Sequence, residues 1–146
     1  MFSFRPNFPF WLLFLLVLIG SSAFAEDILF ESKNLATYEE VKDIPNHPEK
    51  YLIDVRSREL VEKDGTIPGS IIIPFMELEN ALMMNDKEFN MKYGREKPPR
   101  DAVVIFSCLG GQYAQMGSDL AKKHGWEKAK PYLGSWLEWS KREGLD

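Results

Sequence analysis

With 146 residues, 18 basic and 22 acidic side chains and a formal net charge of −4, the chain has the length of one domain and lacks the basic excess of a nucleic-acid-binding protein. Its single cysteine excludes an intramolecular disulfide. Two histidines, neither at ligand spacing from the cysteine, leave no metal site expected, and no pattern in the chain asks for a cofactor.

The N-terminal MFSFRPNFPFWLLFLLVLIGSSAFA has one charge, Arg5, an apolar run of about 13 residues from Phe8 to Gly20, and small residues at Ala23 and Ala25. It reads as a secretory signal peptide cleaved after Ala25, because the run falls short of the ~20 residues that span a bilayer. The alternative is an uncleaved anchor. A mitochondrial presequence fits less well, since the segment is too apolar and has only one arginine. The expectation is a secreted or lumenal domain of residues 26–146 that meets no membrane once the signal is removed.

Along that domain, Ile28 to Phe30 is a short candidate strand, and Thr37-Tyr38-Glu39-Glu40 a capping box opening a helix with Tyr38, Val41 and Ile44 on its apolar side. Pro45 and Pro48 end it, and the apolar run from Tyr51 predicts a buried strand ending near Asp54 and Arg56. Ser57 caps a short helical turn through Leu60 and Val61, before Lys63-Asp64-Gly65 breaks it. Ile71 to Ile73 is a second strand, stopped by Pro74. Phe75, Leu78 and Leu82 recur at helical spacing, and another helix starts at Asn85 with Phe89 as its anchor.

Ala102 to Phe106 carries the strongest strand signal. Beyond Cys108, Ala114, Gly117 and Ala121 form a small-residue helical face that ends near Gly125. Ala129 to Leu133 is a further strand, and Ser135-Trp136-Leu137-Glu138 a second capping box, opening a terminal helix that ends near Gly144. Alternating strands and helices predict an α/β domain, a mainly parallel sheet flanked by helices on both faces.

The stretch IFSCLGGQYA then places Cys108 where a strand gives way to a helix, the position at which open parallel sheets bind ligands. Gly110 and Gly111 let successive N–H groups curl inward as an anion nest, and the helix dipole points the same way. Both favour thiolate over thiol. Such a nucleophile suits capture of sulfane sulfur or attack on a phosphate ester. The plain alternative is a buried, inert cysteine beside a tight turn.

From about Tyr38 to Gly144 the chain resembles the rhodanese domain, through LIDVRS at 52–57, GTIPGSIIIP at 65–74, VVIFSCLGG at 103–111 and LGSWLEW at 133–139. The likeness is to that family's small single-domain thiosulfate sulfurtransferases. It implies a rhodanese-like three-layer fold and transfer of sulfane sulfur, from a small donor such as thiosulfate to a thiol or cyanide acceptor, through a Cys108 persulfide. Leu109, Gly110, Gly111, Gln112 and Tyr113 would cradle the substrate, with Asp54 and Arg56 as supporting residues. Trp136 and Trp139 match aromatic positions of the family and are read as core.

The chain departs from the family's Cys-x-x-Gly-x-Arg at its last position, where Tyr113 stands for arginine. Tyrosine gives one hydrogen bond and no charge, so an anionic donor loses a two-pronged contact. Phosphatase chemistry fares worse, because Cys-x5-Arg would need arginine where Ala114 stands. A second reading follows from Tyr113: a catalytically weak module for protein binding or redox sensing. A third, a purely structural domain, expects slow alkylation of Cys108. The oligomeric state is left open.

Overall fold

The computed structural model describes residues 22–28 and 33–145. In the N-terminal unit, which runs to Lys33, residues 22–28 are helical. Ile28 is therefore helical and not the start of a strand, because the local backbone closes helical turns there; Leu29 and Phe30 lie outside the described residues, as do residues 1–21 of the proposed leader. Among the described residues no helix is long and apolar enough to cross a membrane.

The larger unit, from Asn34 onward, is built on four parallel strands: β1 (Tyr51–Asp54), β2 (Ser70–Ile72), β3 (Val104–Ser107) and β4 (Ala129–Pro131), in the order β2-β1-β3-β4. Every residue of β1 and β3 is buried, as expected of central strands covered on both faces. Odd and even positions part company. Ile53, Val104 and Phe106 pack with Leu78, Leu82, Phe89 and Ala121 on one face. Leu52 and Ile105 pack with Val41, Ile44, Tyr132, Trp136 and Trp139 on the other, so both tryptophans are core.

The first face is covered by α3 (Phe75–Met83), α4 (Asp86–Tyr93) and α5 (Gln112–Lys123). The second is covered by α1 (Tyr38–Lys42), the 3-10 turn Ile44–Asn46 and α6 (Ser135–Glu143). α2 (Arg58–Asp64) buries no residue and runs a turn further than expected, to Gly65.

Polar caps set the helix starts. Thr37 Oγ1 accepts the Glu40 N–H (3.1 Å), Ser57 Oγ that of Leu60 (3.3 Å) and Asn85 Oδ1 that of Glu88 (2.9 Å). Glu40 does not complete its box. Its carboxylate reaches Lys130 (2.7 Å) and Lys50 (3.2 Å), which overcome the cost of burial and hold it below the usual carboxylate range.

Strand limits move with pairing. β3 begins at Val104 and runs to Ser107 because Asp54 faces Ser107 and Val55 N–H bonds the Ser107 carbonyl at 2.9 Å. β2 takes in Ser70 opposite Leu52 and ends before Ile73. β4 stops at Pro131, where the Tyr132 N–H gives the last bond to β3, on the Phe106 carbonyl (2.8 Å), so Leu133 lies beyond it. The box expected at Ser135 is absent: Gly134 is the N-cap of α6, without a side-chain cap, and Ser135 takes φ +50°.

α2 is tied down by charge. Arg58 grips Glu77 of α3 with both guanidinium nitrogens (2.6 and 3.0 Å), and Lys92 and Tyr93 of α4 reach the same carboxylate (3.3 and 3.2 Å). The Arg58 hydrogen bonds lower the Glu77 carboxyl to about 2. Because the folded carboxyl is the stronger acid, its stabilisation is complete above the ordinary value of 4.5 and is lost as the pH falls through about 2. Glu77→Gln should therefore cost under about 1 kcal/mol at neutral pH, as for other half-exposed pairs, and progressively less as the pH falls through about 2. Urea unfolding across that range measures the gap, and a gap that does not close would refute the assignment.

Candidate functional site

β3 delivers Cys108 to the C-terminal edge of the sheet, one residue past Ser107, and α5 starts four residues later. Cys108 is 4% exposed and its thiol is free. Its Sγ accepts the Gly111 N–H at 3.0 Å and the Ala114 N–H at 3.4 Å. The first-turn N–H groups of a helix have no partner of their own, so these donors and the α5 dipole converge on the sulfur and stabilise negative charge there.

Gly111 makes this geometry possible. As the N-cap of α5 it sits at φ +99°, and a Cβ there would overlap the Leu133 carbonyl oxygen. The loop is pinned from one side by the chain at 133–137. Trp136 N–H bonds the Cys108 carbonyl (3.0 Å) and Leu137 N–H that of Leu109 (3.1 Å). The wholly buried Ser135 accepts the Cys108 N–H (3.1 Å) and spends its own hydrogen on the Tyr132 carbonyl (2.7 Å).

The expected cradle of Leu109 to Tyr113 is thus divided. Gly111 donates to sulfur, Ala114 supplies the second donor from just outside that span, and Leu109, Gly110, Gln112 and Tyr113 line the space above. Ala114 was legible in principle, since a helix beginning at Gln112 leaves its third N–H free. Ser135 was not, because its sequence signature is that of a cap.

Asp54 and Arg56 meet beside this loop as a buried pair. Arg56 Nη2 lies 2.7 Å from Asp54 Oδ2 and Nε 3.1 Å from Oδ1. Nη2 also bonds the Gly65 carbonyl (2.8 Å), Thr66 adds a hydrogen bond to Asp54 (2.8 Å), and the guanidinium lies 4.8 Å over the Trp136 ring. Arg56 Nη1 is buried without a hydrogen-bond partner. The pair joins β1, the Gly65-Thr66 turn and α6, and Arg56 forms part of the wall next to Cys108.

That wall encloses a pocket of about 550 Å3, completed by Leu60 of α2 and by Pro74, Phe75 and Met76 where β2 passes into α3. Tyr113 packs edge-on against Phe75, ring centroids 5.1 Å apart.

A family model described as the rhodanese-like domain matches residues 37–142. A rhodanese domain-containing protein of Drosophila melanogaster is 47% identical over 111 residues, 76% of this chain and 100% of that protein. The Saccharomyces cerevisiae protein named thiosulfate sulfurtransferase RDL2, mitochondrial, is 35% identical over 118 residues, 80% of this chain and 78% of that protein. The solved structure titled as the human single-domain sulfurtransferase TSTD1 is similar with a TM-score of 0.69 and 34% identity, covering 75% of this chain and 96% of that one.

The mitochondrial name of the yeast relative overturns the secreted or lumenal location expected from the N-terminus. An apolar run closed by small residues is a pattern of local hydropathy, which does not by itself select the compartment that takes up the chain.

Ser135→Ala should cost about 1–3 kcal/mol in denaturant unfolding, because it strands the buried Cys108 N–H. Gly111→Ala should cost more, about 2–5 kcal/mol, by combining a left-handed backbone with overlap of the Leu133 carbonyl. Equal stability of either variant and the native protein would show that the loop is not held by these contacts.

Proposed function

Because this chain belongs to the rhodanese-like domain family, we propose that it is a sulfurtransferase in which Cys108 carries sulfane sulfur as a persulfide from a donor such as thiosulfate to a thiophilic acceptor. The observation that carries the reading is the pair of N–H groups from Gly111 and Ala114 on Cys108 Sγ.

In the first step the Cys108 thiolate attacks the outer sulfur of thiosulfate. The donor's S–S bond breaks, its electron pair leaves with sulfite, and the transferred sulfur stays on Cys108 as –S–S⁻. In the second step cyanide or a thiolate attacks that terminal sulfur, and the pair of the breaking bond returns to Sγ. Neither step asks for an electron carrier, since sulfur passes between lone pairs with the charge balanced. The N–H pair and helix dipole hold the negative charge that begins and ends on Sγ. Leu109, Gly110, Gln112 and Tyr113 border the substrate, and Asp54 and Arg56 support the wall beside it.

Tyr113 lowers efficiency with thiosulfate, because a charge-assisted contact worth ~1.5–3 kcal/mol is missing, a factor of roughly ten to a hundred in rate. This residue is also what favours a second reading, a weakly catalytic module for binding or redox sensing. The relative's mitochondrial name supports a mitochondrial location, tested by following a C-terminally tagged chain through cell fractionation.

A thiosulfate-to-cyanide assay on the full-length chain separates the readings. Native activity should vanish in Cys108→Ser, and Tyr113→Arg should raise kcat/KM for thiosulfate by about one to two powers of ten. Activity retained without Cys108 would sink the proposal. A silent native protein awakened by Tyr113→Arg would select the second reading.

A further inference from the structure

We infer that the pocket above Cys108 selects a small uncharged thiol with an apolar body as sulfur acceptor, and that Tyr113, set against Phe75, determines this preference. The inference rests on the persulfide reading of Cys108 and names the substrate class of that same site.

Size comes first. About 550 Å3 lies within the roughly 300–1,000 Å3 of sites that enclose organic ligands, far more than a small inorganic anion fills. The character of the wall comes second. Leu60, Pro74, Phe75, Met76, Leu109 and Tyr113 present hydrocarbon and aromatic surface around the sulfur. Met76 is 89% exposed and Tyr113 51%, which leaves apolar area at the mouth for an occupant to cover. The edge-on pair of Phe75 and Tyr113 leaves aromatic surface on which an aryl or alkyl group can pack.

Charge comes third. Arg56 is the one cation that lines the pocket among the described residues, and the buried Asp54 carboxylate cancels it at 2.7 Å. Its unpartnered Nη1 is closed to solvent. The polar groups that remain in the wall, Ser57 and Gln112, are uncharged. Arg58, just outside it, is committed to Glu77 through two hydrogen bonds. The wall offers the carboxylates of a thiol such as glutathione no cationic partner, whereas an apolar thiol gains by burial.

In the step itself the acceptor thiolate attacks the outer sulfur of the Cys108 persulfide, –S–S⁻. The bond from that sulfur to Sγ breaks, its electron pair returns to Sγ, and the acceptor leaves as R–S–S⁻. The pocket holds the R group while the thiolate lines up with the S–S bond.

The test loads the full-length protein with sulfur from thiosulfate, removes excess donor, and follows loss of the Cys108 persulfide by mass spectrometry. Benzyl mercaptan, 2-mercaptoethanol and glutathione are compared at equal thiolate concentration. Benzyl mercaptan should discharge the persulfide at least about tenfold faster than either of the others, the difference appearing mainly as a lower half-saturating concentration. Tyr113→Arg should cut its advantage over glutathione by about tenfold. Equal rates, or a preference for glutathione in the native protein, would overturn the inference.

A second arm needs no chemistry. Benzyl methyl sulfide, which cannot react, should shift the NMR signals of Leu60, Met76 and Tyr113 in Cys108→Ser protein. Binding without any persulfide would leave the pocket assignment standing and defeat the proposed reaction, while absence of binding would defeat the pocket assignment itself.

Discussion

Asp54 stands opposite Ser107 across the two central strands, and the placement of the site follows from that register. It puts the Asp54-Arg56 pair on one side of the sheet's C-terminal edge and Cys108 on the other, one residue past its pairing partner. A slip of one residue in β1 would turn Ile53 toward the helices of the opposite face and carry the Asp54 carboxylate away from Arg56 and Thr66 into an apolar layer. Both faces are sealed by different helices, so the hydrophobic packing that stabilises the domain also holds the register that positions the sulfur.

Around this frame the cysteine loop is held by backbone rather than by its own side chains. Cys108 and Leu109 give their carbonyls to Trp136 and Leu137, and Gly111 lies so near Leu133 that no side chain fits between them. Ser135 keeps a left-handed backbone, φ +50°, that a non-glycine residue adopts only when its surroundings compel it. Its hydroxyl then links the Cys108 N–H to the Tyr132 carbonyl. Strain at one residue is thereby exchanged for a fixed direction of the loop, which keeps the Gly111 and Ala114 N–H groups on the sulfur.

The electrostatics of the site are correspondingly local. Two N–H groups and a helix dipole serve the sulfur, while Arg56, the cation in the pocket wall, is neutralised by Asp54 in a pair that burial would make costly to break. The rest of the wall is uncharged and mostly apolar, with Ser57 and Gln112 as its polar exceptions. In the sulfurtransferase proposed here, such a site would stabilise charge on the sulfur and offer little to charge on a substrate, with Tyr113 where an arginine would add it.

Much of this architecture was legible in the chain. The alternation of buried strands with capped helices, the junction at Cys108 and the small-residue face of α5 follow from apolar periodicity and from the conformational demands of glycine. Sequence periodicity alone determined an α/β domain with its one cysteine at a strand-to-helix turn, because those signals act over a few neighbouring residues. The leader was read from the same kind of local signal, which does not by itself select a compartment. Tertiary structure decided the strand order, the true limits of β2, β3 and β4, the conversion of Ser135 from apparent cap to loop anchor, and the meeting of Leu60, Phe75 and Tyr113 over the sulfur. These depend on pairing and packing between segments tens of residues apart, and no local pattern encodes which carbonyl or ring will stand opposite.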